Sequence, residues 1–195
     1  MIKIALVGDG GVGKTALREM FAGKTFHSSY NVTIGADFAI HEILVDGHAV
    51  KFQCWDLAGQ KRFSQVRSSF YLGVMGCLLV YDVTRKETFE NTPLWLKEVF
   101  KYSGHGQVPV VLLGNKSDLR DETPFPLMPK HGQALAGEIS SILEKNSMKC
   151  NYFDTSAKTG KNVAAAFIEL GRSILEYEKS QRTPTFRKVG LSSVS

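Results

Sequence analysis

The chain has 195 residues, and its 24 Lys plus Arg against 19 Asp plus Glu give a formal charge of +5. This length, with 43% hydrophobic residues, predicts one globular domain with a short tail. The charges are spread along the chain, which argues against a nucleic-acid partner, and no apolar run reaches the roughly 18 residues of a membrane-spanning helix.

The first predicted element is a buried strand over residues 4–7 that runs directly into a glycine-rich loop. Residues 8–15 read GDGGVGKT, which matches G-x-x-x-x-G-K-[ST] between a strand and a helical stretch. Glycines let successive N–H groups turn toward phosphate oxygens, and the helix N-terminus adds partial positive charge. We therefore predict that Lys14 reaches the β- and γ-phosphates of a nucleotide and that the Thr15 hydroxyl ligates Mg²⁺.

The same letters also fit G-x-G-x-x-G, the pattern of dinucleotide-binding sites. Such a site expects an acidic residue about 20 positions later, at the end of the second strand. The nearest candidate, Asp37, stands where that strand should begin, and a dinucleotide site has no use for Lys14 and Thr15. The pattern therefore favours a nucleoside polyphosphate. A glycine-rich turn without a ligand does not explain the strand and helix around it.

A β-hairpin is predicted next, because residues 36–45 and 48–56 flank Asp46-Gly47, a pair that tolerates positive φ in a tight turn. Residues 55–60 then read WDLAGQ. Asp56 ends an apolar strand and is suited to holding Mg²⁺ through water. Gly59 offers an amide that can approach a γ-phosphate, and Gln60 can orient a water for in-line attack.

Later elements alternate between buried strands and helices. Residues 78–83 and 108–113 lack alternation and predict strands covered on both faces, whereas residues 135–143 and 163–177 have helical spacing. Thr92 is predicted to be a helix N-cap because Pro93 follows it. The pattern predicts a mostly parallel sheet with one antiparallel edge strand, a domain over residues 1–181 and a flexible tail over 182–195.

Two further loops follow predicted strands. After residues 108–113 come Asn115, Lys116 and Asp118, and a carboxylate such as Asp118 can accept two hydrogen bonds from guanine but not from adenine. Asn115 would tie this loop to the glycine loop, and the Lys116 stem would cover one face of the base. After a short strand near residues 151–153, the run 155–158 reads TSAK and can donate a backbone N–H to the guanine oxygen.

With these motifs in this order, residues 1 to about 180 resemble a small GTPase of the Ras superfamily. Residues 33–38 (TIGADF) and 55–60 (WDLAGQ) most resemble the Rab branch. The resemblance implies the P-loop NTPase fold of a G domain, an α/β class with a six-stranded, mostly parallel sheet and helices on both faces. It also implies a switch that binds GTP or GDP with Mg²⁺ and slowly hydrolyses GTP to GDP and phosphate.

The resemblance assigns roles to individual residues. Phe26 is expected to pack edge-on against the base, Tyr30 to close over the phosphates, and the Thr33 hydroxyl to join Mg²⁺ when the γ-phosphate is present. Gly10 stands where a side chain would crowd Gln60. Catalytic roles are predicted for Gln60, Lys14 and Thr33, and metal contacts for Thr15, Thr33 and, through water, Asp56. The predicted nucleotide-binding residues are Gly10, Gly11, Val12, Gly13, Lys14, Thr15, Ala16, Phe26, Tyr30, Thr33, Gly59, Asn115, Lys116, Asp118, Ser156, Ala157 and Lys158.

Nucleotide-dependent switch loops are expected at about residues 24–38 and 57–71, where effector proteins would recognise them. No arginine lies beside the glycine loop in the sequence, and Arg18 is expected to point to solvent. Weak intrinsic hydrolysis and an activating protein are therefore predicted. The aromatic residues Phe38, Trp55 and Phe70 match a Rab-type effector surface, although packing beneath the hairpin would also explain them.

The chain departs from the Rab pattern at Leu57, where Thr is usual, and at Lys61, where an acidic residue is usual. Its last cysteine is Cys150, so the prenylated C-terminal cysteines are absent and no direct lipid anchor is expected. The start of the chain predicts no signal peptide, and three cysteines in apolar stretches are typical of a reducing compartment. We expect a cytoplasmic monomer, either soluble or recruited to membranes by a partner, and exchange factors as further partners.

Two other functions are compatible with a phosphate-binding loop. A constitutively GTP-bound interaction module would have lost turnover, but Gln60, Thr33 and Asp56 are all present. A kinase or ATPase acting on a small metabolite would prefer ATP, and Asp118 argues against it.

Overall fold

The computed structural model describes residues 1–26, 33, 35–60 and 64–182, with the backbone alone for 64–66 and 182. The predictions for Tyr30, for Lys61 and for the tail beyond residue 182 lie outside the described residues.

The described residues form six strands and six helices, which alternate except at one β-hairpin and at one pair of consecutive helices. The strands are β1 (Ile2–Val7), β2 (Ala36–Val45), β3 (His48–Leu57), β4 (Gly76–Asp82), β5 (Val110–Asn115) and β6 (Asn151–Asp154). The helices are α1 (Lys14–Phe21), α2 (Ser64–Tyr71), α3 (Lys86–Glu90), α4 (Thr92–Tyr102), α5 (Pro129–Leu143) and α6 (Val163–Arg182). Short 3₁₀ turns cover Ser117–Glu122 and Glu144–Asn146.

The strands form one sheet in the order β2-β3-β1-β4-β5-β6. Only the β2–β3 pair is antiparallel, and β2 lies at the edge. This arrangement confirms the predicted fold class. The hairpin turn is at Asp46 and Gly47, with φ of 48° and 82°, so both residues adopt the left-handed conformation that the turn prediction required.

The core has two halves, one on each face of the sheet. Alternate residues of β1 point to opposite sides, so that Ala5 packs with α4 and α5 residues while Leu6 packs with α1 and α6 residues. Both faces are covered by helices, and this explains why the central strands are mostly apolar, with polar residues such as Asp82 and Asn115 at their carboxyl ends. Because parallel strands run the same way, β1, β3, β4, β5 and β6 all end at one edge of the sheet, and the predicted motifs follow these ends.

One local prediction was wrong, and one short helix was not predicted. Asn91, not Thr92, occupies the N-cap of α4, and Thr92 begins the helix with its hydroxyl donating to the Phe89 carbonyl at 2.7 Å. The five-residue helix α3 directly before it was not predicted. The predicted helix over residues 135–143 buries Ala136, Ile139 and Leu143, whereas Ile142 is 52% exposed. Within the described residues, no helix has the length and apolar character needed to cross a membrane.

Candidate functional site

Three side chains donate hydrogen bonds to carbonyl oxygens of the glycine loop. The Lys14 ammonium donates to the carbonyls of Gly8 and Asp9 at 2.8 and 2.9 Å. The Asn115 amide donates to the Val12 carbonyl at 2.8 Å, and the Arg85 guanidinium donates to a further carbonyl of the loop at 3.0 Å. With its carbonyls engaged by these side chains, the loop can offer its N–H groups to phosphate oxygens.

Gly13 is required by both its conformation and its surroundings. Its φ is 98°, a left-handed value that strains other residues, and a Cβ there would overlap the Asn115 side-chain amide. The residue stands at the N-cap of α1, so the positive end of that helix faces the loop. The local backbone therefore combines N–H donors with a favourable helix dipole at the predicted phosphate position.

Lys14 is a buried cation at the start of α1, only 6% exposed. Burial lowers the pKa of its ammonium from the usual value to about 8, although the nearby carboxylates of Asp56 and Asp9 act in the opposite direction. A phosphate anion beside Lys14 would favour the charged form. The buried ammonium of Lys14 would therefore interact favourably with an anion bound at this position.

The predicted metal contacts converge, although they come from distant parts of the sequence. The Thr15 hydroxyl donates to Asp56 Oδ2 at 2.5 Å, and the Thr33 hydroxyl lies 3.2 Å from the Thr15 hydroxyl and 3.4 Å from Asp56 Oδ2. Asp56 is 1% exposed, and its other oxygen, Oδ1, is buried without a hydrogen-bond partner. Burial raises the pKa of this carboxyl group, while the Thr15 hydrogen bond and the Lys14 charge oppose the rise.

This set of oxygen atoms fits Mg²⁺. The ion prefers carboxylate, hydroxyl and water oxygens, and a dication would neutralise the buried carboxylate of Asp56. Thr15 and Thr33 would hold the ion together with Asp56, and the unpartnered Oδ1 atom is available to a water of its hydration shell.

Gly59 lies against the glycine loop. A Cβ on this residue would overlap the main-chain atoms of Asp9 and Gly10, so only glycine allows the close approach. Gln60 follows it and is half-buried. The carbonyls of Ala58 and Gln60 both accept hydrogen bonds from Arg67 Nη1, at 2.6 and 3.2 Å. The main chain that carries the predicted water-orienting glutamine is therefore held by a buried arginine, directly after the residue that contacts the glycine loop.

The predicted base-binding loops are joined to each other. Asn115 Oδ1 accepts hydrogen bonds from the Ala157 amide at 3.2 Å and from the Thr155 hydroxyl at 3.3 Å, while its Nδ2 atom holds the glycine loop. The Ser156 hydroxyl donates to Asp118 Oδ1 at 2.5 Å. One buried asparagine thus links three loops, and the Asp118 carboxylate is oriented from the side of the 155–158 loop.

Lys116 adopts a left-handed conformation, with φ of 66°, and its ammonium pairs with the buried Asp82 carboxylate at 2.7 Å. Arg85 Nε lies 3.1 Å from the same carboxylate. Burial acts to raise the pKa of the Asp82 carboxyl group, but the Lys116 ammonium and the hydrogen bonds from Thr84 hold this pKa below its usual value. Asp82 therefore anchors the loop that carries Asp118.

The other predicted site residues make fewer of the contacts described above. Gly11 and Ala16 flank the loop and helix start, Lys158 is exposed, and Phe26 is exposed at the last residue before an undescribed stretch. Phe38 and Trp55 stack with ring centroids 5.0 Å apart, and Phe70 lies 5.4 Å from Trp55. Phe38 is 48% exposed, whereas Trp55 and Phe70 also pack against the hydrophobic core. The three rings therefore contribute both to an exposed surface and to packing beneath the hairpin.

The structure corrects one prediction on arginines and adds two residues. Arg18 does not point to solvent: it is 6% exposed and pairs with Asp37 at 2.6 Å. Arg85 reaches the glycine loop although 75 positions separate it from Gly10, and Arg67 reaches Glu98 across 31 positions. No local spacing pattern could have indicated these contacts, because they depend on how distant elements pack.

Comparison with known proteins agrees with this geometry. The model of the Ras family matches residues 3–176. Over 174 residues the chain is 40% identical to Ras-related protein RABE1e of Arabidopsis thaliana, covering 89% of this chain and 75% of that protein. Ras-related proteins RABE1d of Arabidopsis thaliana and RAB1BV of Beta vulgaris are also 40% identical, with coverage of 89% of this chain and 76% of each relative.

Proposed function

The chain belongs to the Ras family as a Rab-like small GTPase, and on this premise we propose that it is a slow GTP-hydrolysing switch. Its nucleotide-dependent loops would be residues 24–38 and 57–71. The observation that carries the proposal is the convergence of Thr15, Thr33 and Asp56. Thr33 comes from the first of these loops, so a ligand shared by the three residues would fix that loop to the rigid sheet edge.

Guanine recognition is assigned to Asp118, supported by its hydrogen bond from Ser156. The N1–H and exocyclic amine of guanine would donate to the carboxylate, and the Ala157 amide would donate to the guanine oxygen. Adenine has an acceptor in place of that N1–H, which would leave the carboxylate partly unpaired. The glycine-loop amides and Lys14 would bind the phosphates.

Hydrolysis is proposed to proceed by in-line attack of water on the γ-phosphorus. Gln60 would orient the water, and the bond between the γ-phosphorus and the β–γ bridging oxygen would break to give GDP and inorganic phosphate. Lys14 and the loop amides would stabilise the charge that develops on the phosphate oxygens. Mg²⁺, when bound, supplies further charge neutralisation at the β- and γ-phosphates. Loss of the γ-phosphate would release Thr33 and Gly59, which is the switching step.

Replacing Gln60 by Leu tests the hydrolytic function. The wild-type protein is expected to release phosphate from bound GTP at roughly 10⁻⁴ to 10⁻³ per second, because no arginine finger is supplied to the transition state. The Gln60→Leu variant should bind GTP normally but release phosphate at least about tenfold more slowly, since the water loses its orienting group.

Phosphate release from GTP-loaded protein over several hours measures this. Equal and negligible release by both proteins would identify a constitutively GTP-bound module instead. Wild-type turnover above about 1 per second would contradict the weak intrinsic rate.

Nucleotide binding is expected to take up a proton near pH 8. In the free protein, burial lowers the Lys14 pKa to about 8, so about half of these side chains are uncharged at that pH. Bound phosphates raise the pKa again, and binding should take up about 0.5 proton at pH 8. Because the charged form binds, GDP affinity should fall as the pH rises above this value.

Calorimetry of GDP binding at pH 8, in two buffers of different ionisation enthalpy, measures the uptake. The Lys14→Met variant is the control and should take up no proton at this position. Equal uptake by both proteins would show that another group titrates.

Effector recognition is proposed for the surface formed by Phe38, Trp55 and Phe70. The exposed Phe38 ring on β2 and the α2 ring of Phe70 would respond together when the two loops change with the nucleotide. Activating and exchange proteins are proposed as further partners. An effector that binds the GTP form should lose affinity when Phe38 is replaced by Ala, while nucleotide affinity remains.

A cytoplasmic location is proposed, with recruitment by a partner as the route to membranes. It is supported by Cys54, Cys77 and Cys150, which are all buried free thiols, as is usual in a reducing compartment. Fractionation of cells that express the full chain tests this. Recovery in membranes that persists after partner proteins are stripped would contradict it.

A further inference from the structure

One face of α4 contacts both loops that would surround the γ-phosphate. Asn91, Trp95 and Glu98 are spaced by four and three residues, which places them in line along the helix. Together with Asp9 and Arg67 they form a set of side chains that we call the α4 contact network. Its members join the glycine loop at one end and the loop of Gly59 and Gln60 at the other.

The first end of the α4 contact network holds the glycine loop. Asn91 Nδ2 donates to Asp9 Oδ2, and Trp95 Nε1 donates to Asp9 Oδ1, each at 2.7 Å. Both oxygens of the carboxylate are therefore engaged by α4. The Asp9 main chain also accepts from Lys14 and lies in contact distance of Gly59, so this carboxylate fixes the part of the loop closest to Gln60.

The second end holds the main chain around Gly59 through Arg67. The arginine is 2% exposed, and its Nε and Nη2 atoms donate to the two carboxylate oxygens of Glu98 at 2.7 and 2.9 Å. Nη1 donates to the carbonyls of Ala58 and Gln60. All three guanidinium nitrogens are used, and only the planar fork of arginine can make these bonds at once.

Trp95 connects the two ends. The Arg67 guanidinium lies over the Trp95 ring, 4.3 Å from its centroid, while the indole N–H of the same ring binds Asp9. A shift of the ring would therefore move a contact to the glycine loop and a contact to Arg67 together. Burial of the guanidinium strengthens this cation–π contact.

From this geometry we infer that Arg67 is a positioning residue for Gln60, and that α4 sets the distance between Gln60 and the glycine loop through Trp95. The inference rests on the proposed hydrolytic function. The guanidinium nitrogens of Arg67 are engaged by Glu98 and by the carbonyls of Ala58 and Gln60, so Arg67 would act on hydrolysis through the main chain of Gln60. A displacement of about 1 Å at a reacting group can cost on the order of 10²-fold in rate, so a loss of these bonds should affect hydrolysis more than binding.

The test compares Arg67→Lys, Trp95→Phe and the double variant. Lysine keeps the charge but cannot make the four hydrogen bonds together, and phenylalanine keeps an aromatic ring but removes the donor to Asp9. We expect each single variant to hydrolyse bound GTP roughly 10- to 100-fold more slowly, with GDP affinity within about threefold of wild type. The double variant should be no slower than the slower single variant, because both changes interrupt one network.

Arg172→Lys is the matched control. Arg172 also forms a two-bond pair with a carboxylate, Asp46, at 2.9 and 2.8 Å, but at the hairpin end of β2, opposite the site. This control should hydrolyse GTP at the wild-type rate. If it slowed hydrolysis as much as Arg67→Lys, the effect would reflect general destabilisation and the inference would fail.

The hydrolysis rates of the wild type and of the other variants distinguish this inference from the proposed function. Wild-type hydrolysis by Arg67→Lys, or rate losses that multiply in the double variant, would overturn the inference while leaving the hydrolytic function intact. Absence of hydrolysis in the wild type would instead contradict the proposed function. If Arg67→Lys does not fold, Trp95→Phe carries the test alone, because a wild-type rate in that variant excludes the link through Trp95.

Discussion

Replacing Asp118 by Asn is expected to lower the affinity for GDP by about 10⁴-fold and to create affinity for xanthosine diphosphate. The carboxylate offers two acceptors to the N1–H and amine of guanine, whereas the asparagine amide offers one acceptor and one donor. The NH₂ group of asparagine would face the exocyclic amine of guanine, so that two donors oppose each other. Opposite xanthine, the same NH₂ group can donate a hydrogen bond to the 2-carbonyl oxygen. The hydrogen bond that Ser156 donates to Oδ1 would place the amide in the same orientation as the carboxylate.

Equilibrium titration of nucleotide-stripped protein with fluorescent GDP and xanthosine diphosphate measures the change. Asp121→Asn is the control, since Asp121 is exposed in the same 3₁₀ turn and should keep the guanine preference. Unchanged GDP affinity in Asp118→Asn would remove the basis for guanine specificity at this position.

Replacing Lys14 by Met is expected to weaken GDP binding by roughly 10² to 10⁴-fold. Two charge-assisted hydrogen bonds to phosphate, at about 1.5 to 3 kcal/mol each, would be lost. Methionine has a similar length and an apolar tip. It therefore removes the 6%-exposed charge without opening a large cavity, and it leaves the Gly8 and Asp9 carbonyls without their donor.

Calorimetric titration in magnesium buffer measures this loss. Lys97→Met on the exposed side of α4 is the matched control and should bind GDP as the wild type does. If both variants bound equally well, the cation would not contact phosphate.

Much of the site could be predicted from the sequence because its motifs are local. The glycine loop needs glycines, a lysine and a threonine at fixed spacing after a strand, and these requirements are met within eight consecutive residues. The hairpin at Asp46 and Gly47 also depends on the conformations of adjacent residues. Parallel strands then bring the motif-bearing loops to one edge of the sheet, as the alternation of strands and helices indicated.

Predictions about single side chains were less successful where packing decides their direction. Arg18 on α1 is predicted to point to solvent, yet packing places it in a buried position, where it pairs with Asp37 of β2 at 2.6 Å. The α4 boundary was displaced by one residue because α3 ends immediately before Asn91, and a proline pattern alone does not reveal a preceding short helix.

The sequence by itself determined the fold class, the hairpin turn and the family of this protein, because apolar periodicity, turn conformations and short motifs depend on residues that are neighbours in the chain. Only the tertiary structure decided which side chains hold those loops in place. Arg85 reaches the glycine loop, and Arg67 is held between Glu98 and Trp95, because sheet and helix packing bring distant segments within hydrogen-bond distance. Such contacts arise from three-dimensional packing, and for that reason no spacing along the chain predicts them.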